Sequence, residues 1–332
     1  IGGLSGDAMT AGGTNTAVGY LSLSSETDGV RSTAVGHSAL ATQNLAGGYQ
    51  AYNVAVGYNA GTAITTGLQN TLIGSLAGDV LSDADYNVAV GYGSLSADTQ
   101  GSLSTAIGKS ALANQNFTTA TNTFNVAVGA GAGEQVTTGQ ENTLIGGLAG
   151  DALTAANYNV TVGYATLSAD TLGSRSVAIG FEALTTQNFT TATNAYNVAI
   201  GFQAGHDITT GQQNTIIGGL AGDKLTDADY NVVMGLNSLG SDTQGSRSTA
   251  IGYNTLNAQN FGTAANTNNV AVGYNAGMSV TTGTSNTIIG SNTGDAITDA
   301  DNNTAVGFEA LTANSLGSAI VAIGFRSFKT LN

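Results

Sequence analysis

The chain has 332 residues, no cysteine and no proline, and 21 acidic against 7 basic side chains give it a formal net charge of −14. This balance argues against nucleic acid as a partner, because phosphate binding needs clustered Lys and Arg. The lack of cysteine excludes disulfides and thiolate metal sites, and no apolar run is long enough to insert into a membrane.

A five-residue phrase, Asn53–Gly57 (NVAVG), returns from one end of the chain to the other. Its closing glycine, called the motif glycine below, recurs in steps of 17, 17, 21 and 17 residues, so the whole pattern forms a super-repeat of 72 residues. A fixed period of this kind is typical of stacked repeats that contact only their neighbours. We therefore predict a single continuous region, residues 1–332, of about 19 coils, and interpret it as an excerpt from a longer chain because it opens within a motif. The motif glycines are Gly2, Gly19, Gly36, Gly57, Gly74, Gly91, Gly108, Gly129, Gly146, Gly163, Gly180, Gly201, Gly218, Gly235, Gly252, Gly273, Gly290, Gly307 and Gly324.

Within the motif, Val54 and Val56 fall on one face of a strand, whereas Ala55 and Gly57 fall on the other. Both faces avoid water, which is typical of parallel strands, and frequent glycines without a helical apolar period argue against helix. We predict an all-β fold in which each repeat forms one coil of a parallel β-solenoid. The small Ala/Gly face indicates close approach of another backbone, and we expect a partner chain of a cyclic homo-oligomer to bury it.

One coil position, four residues before the motif glycine, is asparagine in three of the four coil types and serine in the fourth. Stacked amides can hydrogen-bond to one another along the axis of a solenoid as a ladder. We therefore predict a structural role for this position. The asparagines in the first half of the chain are Asn15, Asn53, Asn70, Asn87, Asn125, Asn142 and Asn159.

The phrases Ser104–Gly108 (STAIG), Ser176–Gly180 (SVAIG) and Asn53–Gly57 resemble the repeats of trimeric autotransporter adhesin heads and the related repeats of phage tail fibres. The resemblance covers essentially the whole chain, and it is specific for fold rather than for ligand because the motif is structural. It implies a left-handed parallel β-roll, a homotrimeric rod, and an extracellular location on a cell surface or a virion tail fibre. The steps of 17 and 21 residues depart from the usual adhesin coil, and the phage and bacterial contexts stay open.

The sequence offers only weak candidates for catalytic and cofactor-binding residues. Gly129–Gly133 (GAGAG) looks like a phosphate-binding loop, but its counterpart Gly57–Gly61 (GYNAG) indicates a variant of an ordinary turn with no helix after it. His37 and His206 lie in different coil types without repeated partners, whereas a nucleophile and its base need a unique, oriented arrangement. We therefore predict no enzymatic activity and no cofactor.

An acidic turn recurs three times and offers oxygen ligands of the kind that Ca²⁺ prefers. In another copy, Asp151 is followed by Ala155 and Asn157 in place of the second and third acids. We therefore favour solvated turns that keep the coils soluble and expect no functional metal site. The weak calcium candidates are Asp79, Asp83, Asp85, Asp223, Asp227, Asp229, Asp295, Asp299 and Asp301.

Three arginines precede the motif of the fourth coil type, and each has an acidic residue earlier in the same coil. Oppositely charged side chains at such spacing commonly form weak surface ion pairs. The expected pairs are Arg31 with Asp28, Arg175 with Asp170, and Arg247 with Asp242.

The 21-residue coil carries four extra residues and an aromatic side chain in each complete copy. A 17-residue coil already closes, so we expect the extension to project from the scaffold, where binding residues commonly lie. The alternative is that these rings pack under their own loop or against a neighbouring chain. The candidates for partner contact are Tyr49, Phe117, Phe189 and Phe261.

The function that these features favour is a structural fibre or adhesin shaft that extends and presents a binding surface. Its expected partners are further copies of itself and a glycan or protein of a host surface. Two alternatives of other classes are an ice- or surface-binding solenoid, indicated by threonine pairs such as Thr65 with Thr66, and a carbohydrate-binding tail spike. The threonine pairs occur once in four coils, which is sparse for a lattice-matching face.

Overall fold

The computed structural model describes residues 1–313 and 316–329, and all regular structure in these ranges is β-strand. The chain divides into two compact units, Ile1–Val162 and Gly163–Asn332. In the first unit the strands are β1 (Thr16–Val18), β2 (Thr33–Val35), β3 (Val54–Val56), β4 (Thr71–Ile73), β5 (Val88–Val90), β6 (Gly101–Ser102), β7 (Thr105–Ile107), β8 (Thr121–Asn122), β9 (Val126–Val128), β10 (Thr143–Ile145) and β11 (Val160–Val162).

In the second unit they are β12 (Gly173–Ser174), β13 (Val177–Ile179), β14 (Thr193–Asn194), β15 (Val198–Ile200), β16 (Thr215–Ile217), β17 (Val232–Met234), β18 (Gly245–Ser246), β19 (Thr249–Ile251), β20 (Ala265–Asn266), β21 (Val270–Val272), β22 (Thr287–Ile289), β23 (Thr304–Val306) and β24 (Val321–Ile323).

The three-residue strands are the motif strands, and within each unit each one pairs in parallel with the motif strand of the next coil. Residues at equivalent positions of successive repeats pair with each other, so that Val54 lies beside Thr71 and Val56 beside Ile73. The prediction of an all-β, parallel β-solenoid is therefore confirmed. Among the described residues each unit has nine motif strands, eighteen in all. About 19 coils were expected, and the first motif glycine is preceded by only one residue.

The motif strand buries its small face inside its own coil. Ala55, Ala89 and Ala106 are fully buried, and Leu72 occupies the same position in the second coil type. The expectation that a partner chain is needed to bury this face is therefore wrong. The reason is that the interior of the solenoid is filled by its own apolar side chains: Leu40, Ile64 and Leu72 are fully buried and meet around Gly61.

The bulky face of the motif strand points outward instead. Val54 and Val56 are half-buried, and Ile73, Ile107 and Ile145 have about 40% of their surface exposed (40%, 38% and 38%). The outward face of the sheet is therefore apolar and carries no covering layer from its own coil.

The motif glycine stands where successive coils approach most closely. A Cβ on Gly57 would lie 2.4 Å from the carbonyl oxygen of Gly74 in the next coil, and φ of Gly57 is +147°. Every other residue type would clash there and would be strained as well. The predicted close approach of a backbone is confirmed, and the backbone is that of the same chain.

The asparagine before each motif both closes its coil and holds the next one. Asn142 Nδ2 donates to the carbonyl oxygen of Ala156 in its own coil at 2.9 Å, and its Oδ1 accepts from the backbone N–H of Asn159 in the next coil at 3.0 Å. The amide-to-amide contact, from Asn142 Nδ2 to Asn125 Oδ1, is longer at 3.3 Å. The structural role is confirmed, and its main bonds run to backbone groups.

Replacing Asn142 with alanine leaves a buried carbonyl oxygen and a buried N–H without partners. We expect the free energy of unfolding to fall by about 2–6 kcal/mol, at about 1–3 kcal/mol for each of the two unsatisfied groups. Urea unfolding followed by circular dichroism measures the change. Glu141→Ala, on the exposed neighbouring residue, is the matched control and should change stability by less than about 1 kcal/mol; equal losses in the two variants would contradict the bridging role.

Candidate functional site

The four-residue extension packs back on its own solenoid. Phe117 and Phe189 are 6% and 4% exposed, and strand β8 pairs in parallel with β6 of the preceding coil. Of the two interpretations, packing of the ring rather than exposure to a partner is therefore the one that Phe117 and Phe189 bear out. The tip of the extension, residues 118–120, is exposed, as are Asn116 and Asn122 on either side of it.

A buried carboxylate holds the extension in place, and sequence reasoning missed it. Asp98 is fully buried, and its Oδ1 accepts from the backbone N–H groups of Gly101 and Phe117, each at 3.0 Å. Its Oδ2 accepts from Gln115 Nε2 at 2.5 Å, and Gln115 Oε1 accepts from Asn125 Nδ2 at 2.8 Å. The same arrangement recurs in the other copies as Glu26 with Gln43 and Asn53, Asp170 with Gln187 and Asn197, and Asp242 with Gln259 and Asn269.

The signal for this network was present in the sequence. Asp98 and Gln115 are separated by 17 residues, so they stand at the same position of two successive coils. Burial raises the pKa of the Asp170 carboxyl above its usual value, although hydrogen bonds from Gln187 and from backbone N–H groups act to lower it. The network joins the 17-residue and 21-residue coils, and its role is structural.

The expected ion pairs of the arginines are not the contacts that form. Asp170 and Asp242 are fully buried, and their carboxylate oxygens accept hydrogen bonds from glutamine side chains and backbone N–H groups. Arg247 lies over the ring of Tyr230 at 5.8 Å, and Arg31 lies over that of Tyr52 at 5.4 Å. Asp170 and Asp242 were misassigned because the sequence does not show that their side chains are buried, and the third expected partner, Asp28, accepts from Thr10 Oγ1 at 2.8 Å.

Tyr49 is the one candidate of its group that is largely exposed, at 67%, while Phe261 is half-buried. Leu45, which is 6% exposed, takes the position of Phe117 in the first super-repeat, since it lies two residues after Gln43 as Phe117 does after Gln115. Tyr49 therefore has no equivalent among the phenylalanines. It lines an apolar hollow of about 340 Å³ together with Leu45, Ala46, Thr66 and Leu68.

The acids of each calcium candidate turn have different surroundings. Asp83 is exposed, Asp79 is half-buried, and Asp85 Oδ1 accepts from the backbone N–H of Leu68 in the preceding coil at 2.7 Å. In the divergent copy, Asn157 Oδ1 makes the equivalent bond at 2.7 Å. Among the described residues no group of three or more acidic, His or Cys side chains is placed to hold a metal ion.

The two histidines lie on the surface of different units. His37 lies between the rings of Tyr20 and Tyr58, at centroid distances of 5.3 and 5.2 Å. His206 Nδ1 is 2.5 Å from Asp207 Oδ1, and Lys224 Nζ is 3.1 Å from Asp207 Oδ2. Neither set of described contacts combines a nucleophile, an imidazole and an orienting acid, which hydrolytic triads require.

The largest continuous feature is the outer face of the solenoid. It consists of four outward positions in each coil, at five, three and one residues before the motif glycine and one residue after it; in one coil these are Tyr52, Val54, Val56 and Tyr58. The two central positions are Thr, Val, Ile or Met in every motif strand. At the last position, aromatic rings of successive coils stack on one another, as in Tyr164–Phe181–Phe202 and Tyr253–Tyr274, with centroids 5.3–5.7 Å apart.

No protein-family model, curated protein or solved structure matches this chain. The described part of the chain also contains no helix that could cross a membrane.

Millimolar Ca²⁺ is expected to leave the melting temperature unchanged. The reason is that Asp85, Asp229 and Asp301 already accept backbone hydrogen bonds from the preceding coil. Thermal unfolding with calcium and with a chelator tests this, and Mg²⁺ at equal concentration controls for ionic strength. A large, chelator-reversible rise specific to calcium would contradict it.

Stability is expected to rise as the pH is lowered from neutral towards about 4, near the ordinary carboxyl pKa. Burial raises the pKa of Asp79, Asp151, Asp223 and Asp295, which occupy one coil position in four copies. A carboxyl whose pKa is raised by folding contributes stability that is fully present below its unfolded pKa and is lost as the pH rises through its folded pKa. Urea unfolding across this pH range measures the slope. The variant with all four residues changed to asparagine should show a smaller slope; an unchanged slope would contradict the assignment.

Proposed function

We propose that this chain is a structural shaft of a fibre or adhesin that associates with further copies of itself through the outer face. The observation that carries the proposal is the exposed apolar surface of the motif strands. Nine coils at about 4.8 Å each extend the two central columns of Thr, Val, Ile and Met over roughly 40 Å in one unit.

The composition of the outer face supports self-association rather than contact with water. Ile107 and Ile145 lie in its centre, and the rings of Tyr86 and Phe124 are half exposed at its edge, at 50% and 52%. Aromatic and aliphatic side chains are enriched at the buried centre of protein interfaces. Because the two central positions recur in each coil of a unit, two copies can meet along the length of that unit.

The coil construction suits a shaft. Within each unit, successive coils are joined by parallel pairing of the motif strands and, where the coil begins with asparagine, by that buried side chain, as with Asn53 and Asn70. Stacks of this kind propagate along one axis and present repeated surfaces. The number of three chains and the extracellular location, on a cell surface or a virion tail fibre, follow from the resemblance of the motif to adhesin and tail-fibre repeats.

The alternatives gain no specific support. In the threonine pairs, the hydroxyl of the first member bonds to the next coil, as Thr65 Oγ1 does to the carbonyl oxygen of Ser82 at 3.3 Å. That hydroxyl is less available to an ice lattice. A tail spike would need paired carboxylates in a groove, whereas the buried acids described above are held by glutamine and backbone groups.

The double variant Ile107→Glu/Ile145→Glu is expected to dissociate the assembly into monomers. Each glutamate would be buried at the interface without a partner, which costs several kcal/mol. Light scattering coupled to size exclusion measures the mass against the 32.9 kDa of one chain, with about three times that mass expected for the parent.

The control Thr118→Glu/Thr119→Glu places the same charges on the exposed tip of the extension and should leave the assembly intact. A monomeric parent protein at micromolar concentration would contradict self-association. If the parent is a dimer and the glutamate substitutions dissociate it, the outer face is still the interface, but the number of chains is two rather than three.

A further inference from the structure

One edge of the outer face alternates between aromatic rings and residues without rings. This edge column is the position five residues before each motif glycine. In the first unit it holds a ring in every second coil from Tyr52 onward, so its period is two coils, or about 9.6 Å along the solenoid. The rings are those of Tyr52, Tyr86, Phe124 and Tyr158, and the residues between them are Gln69, Leu103 and Glu141.

The residues of the edge column hold a backbone conformation that suits few of them. Tyr86 and Tyr158 have φ of +60° and +61°, a left-handed conformation that glycine or asparagine adopts at less cost. Bonds between coils impose it, such as that from the backbone N–H of Tyr86 to the carbonyl oxygen of Leu68 at 3.0 Å. The four rings are 45–52% exposed, so half of each ring surface is left for contact outside its own chain.

The opposite edge of the outer face, one residue after the motif glycine, shows the same alternation in part of the first unit. The coils of Tyr52 and Tyr86 carry rings there as well, Tyr58 and Tyr92, which are 53% and 57% exposed. The coil between them carries Ser75. From Tyr52 to Tyr92, therefore, a coil has rings at both edges or at neither.

Parallel copies related by rotation about an axis along the shaft bring unlike edges together. When their outer faces turn towards this axis, the edge column of one copy meets the opposite edge of the next, whether the copies are two or three. A closed ring of copies allows no translation along the axis, because an offset generates an open helix instead. Each coil then stands beside the same coil of its neighbour.

We propose that the alternating edges set the register of self-association: copies of this chain lie parallel, with each coil beside the same coil of the next copy. This inference rests on the self-association proposed above and adds its register. In register, the ring of Tyr52 meets Tyr58 of the next copy, and the ring of Tyr86 meets Tyr92. Aromatic pairs stabilise a contact beyond the area that they bury.

A slip by one coil destroys this match. The ring of Tyr86 would then face Ser75 of the next copy, and the polar side chain of Gln69 would face a ring, Tyr58 or Tyr92, depending on the direction of the slip. Both changes bury polar groups against apolar surface without hydrogen-bond partners. The alternation therefore disfavours every odd offset.

A pair of charges in the second unit favours zero offset over an offset of two coils. Arg175 lies on the edge column, and Glu182 of the same coil lies one position past the opposite edge. In register, the guanidinium of one copy stands near the carboxylate of the next, and such complementary charges fix register. An offset of two coils places Leu148 or Leu220 there instead.

Cysteine pairs test the register directly, because the chain has no cysteine of its own. The variant Gln69→Cys/Ser75→Cys places thiols on both edges of one coil. They are six residues apart on an extended segment, about 20 Å, so a disulfide within one chain is out of reach. Oxidation is expected to link the copies into a covalent assembly, seen on a non-reducing gel, with the mass that light scattering gives for the parent.

Matched pairs represent the other arrangements. Gln69→Cys/Tyr92→Cys reports an offset of one coil, and Gln69→Cys/Lys109→Cys an offset of two. The single variant Gln69→Cys brings edge columns together only in antiparallel copies. All three are expected to link far less than the pair on one coil.

Exchanging residues between coils tests whether the rings set the register. Gln69→Tyr/Tyr86→Gln moves one ring by one coil at positions of nearly equal φ, +57° and +60°. The concentration at which half of the assembly dissociates is expected to rise about tenfold, the equivalent of one lost aromatic pair. Adding Ser75→Tyr/Tyr92→Ser moves the opposite ring to match and should restore the parent's value. Circular dichroism should be the same for all three proteins.

Equal linking of the offset pairs and the pair on one coil would overturn the proposal, as would a fourfold variant that stays as weak as the double variant. Light scattering on the same samples separates this failure from failure of the shaft proposal. A monomeric parent overturns both, whereas an intact assembly that links at other positions overturns the register alone.

Discussion

The buried asparagine before each motif is the constraint on which the solenoid depends. Asn53 Nδ2 donates to the carbonyl oxygen of Gly67 in its own coil at 2.7 Å, and its Oδ1 accepts from the N–H of Asn70 in the next at 2.8 Å. One side chain therefore sets both the circumference of its coil and the register of the following one. The bonded carbonyl always lies 14 residues further on, which leaves little freedom in coil length.

The longer coil needs a different device, and this explains the serine of the fourth coil type. In a coil with four extra residues, an asparagine side chain at the start would no longer face the carbonyl that it bonds in the shorter coils. Ser104 occupies that position instead, and Gln115 Nε2 donates to Ser104 Oγ at 2.8 Å. Gln115 is oriented in turn by Asp98. A fully buried carboxylate is costly unless it is hydrogen-bonded, and here it is tolerated because it organises the entry into the extension.

The face of the motif strand that points outward decides where a partner can make contact. Alanine is the commonest residue at the buried central position of the motif strand, with Leu72 and Ile216 among the exceptions, and the residues on either side of it point outward. The outer face is therefore available for other copies of the chain.

The sequence by itself determined the all-β class, the coil length, the parallel pairing and the structural asparagine, because each is a property of a period that recurs along the chain. It also identified the motif glycine as a point of close approach. Only the tertiary structure shows which face of the motif strand lies inside the coil. The alternation of residues along the strand separates two faces, but it does not tell which of them faces the interior. The burial of Phe117, Asp170 and Asp242 also depends on the tertiary packing. So does the left-handed backbone at Leu76 and Tyr86, with φ of +59° and +60°: local preference favours glycine or asparagine there, and bonds between coils impose the conformation on other residues.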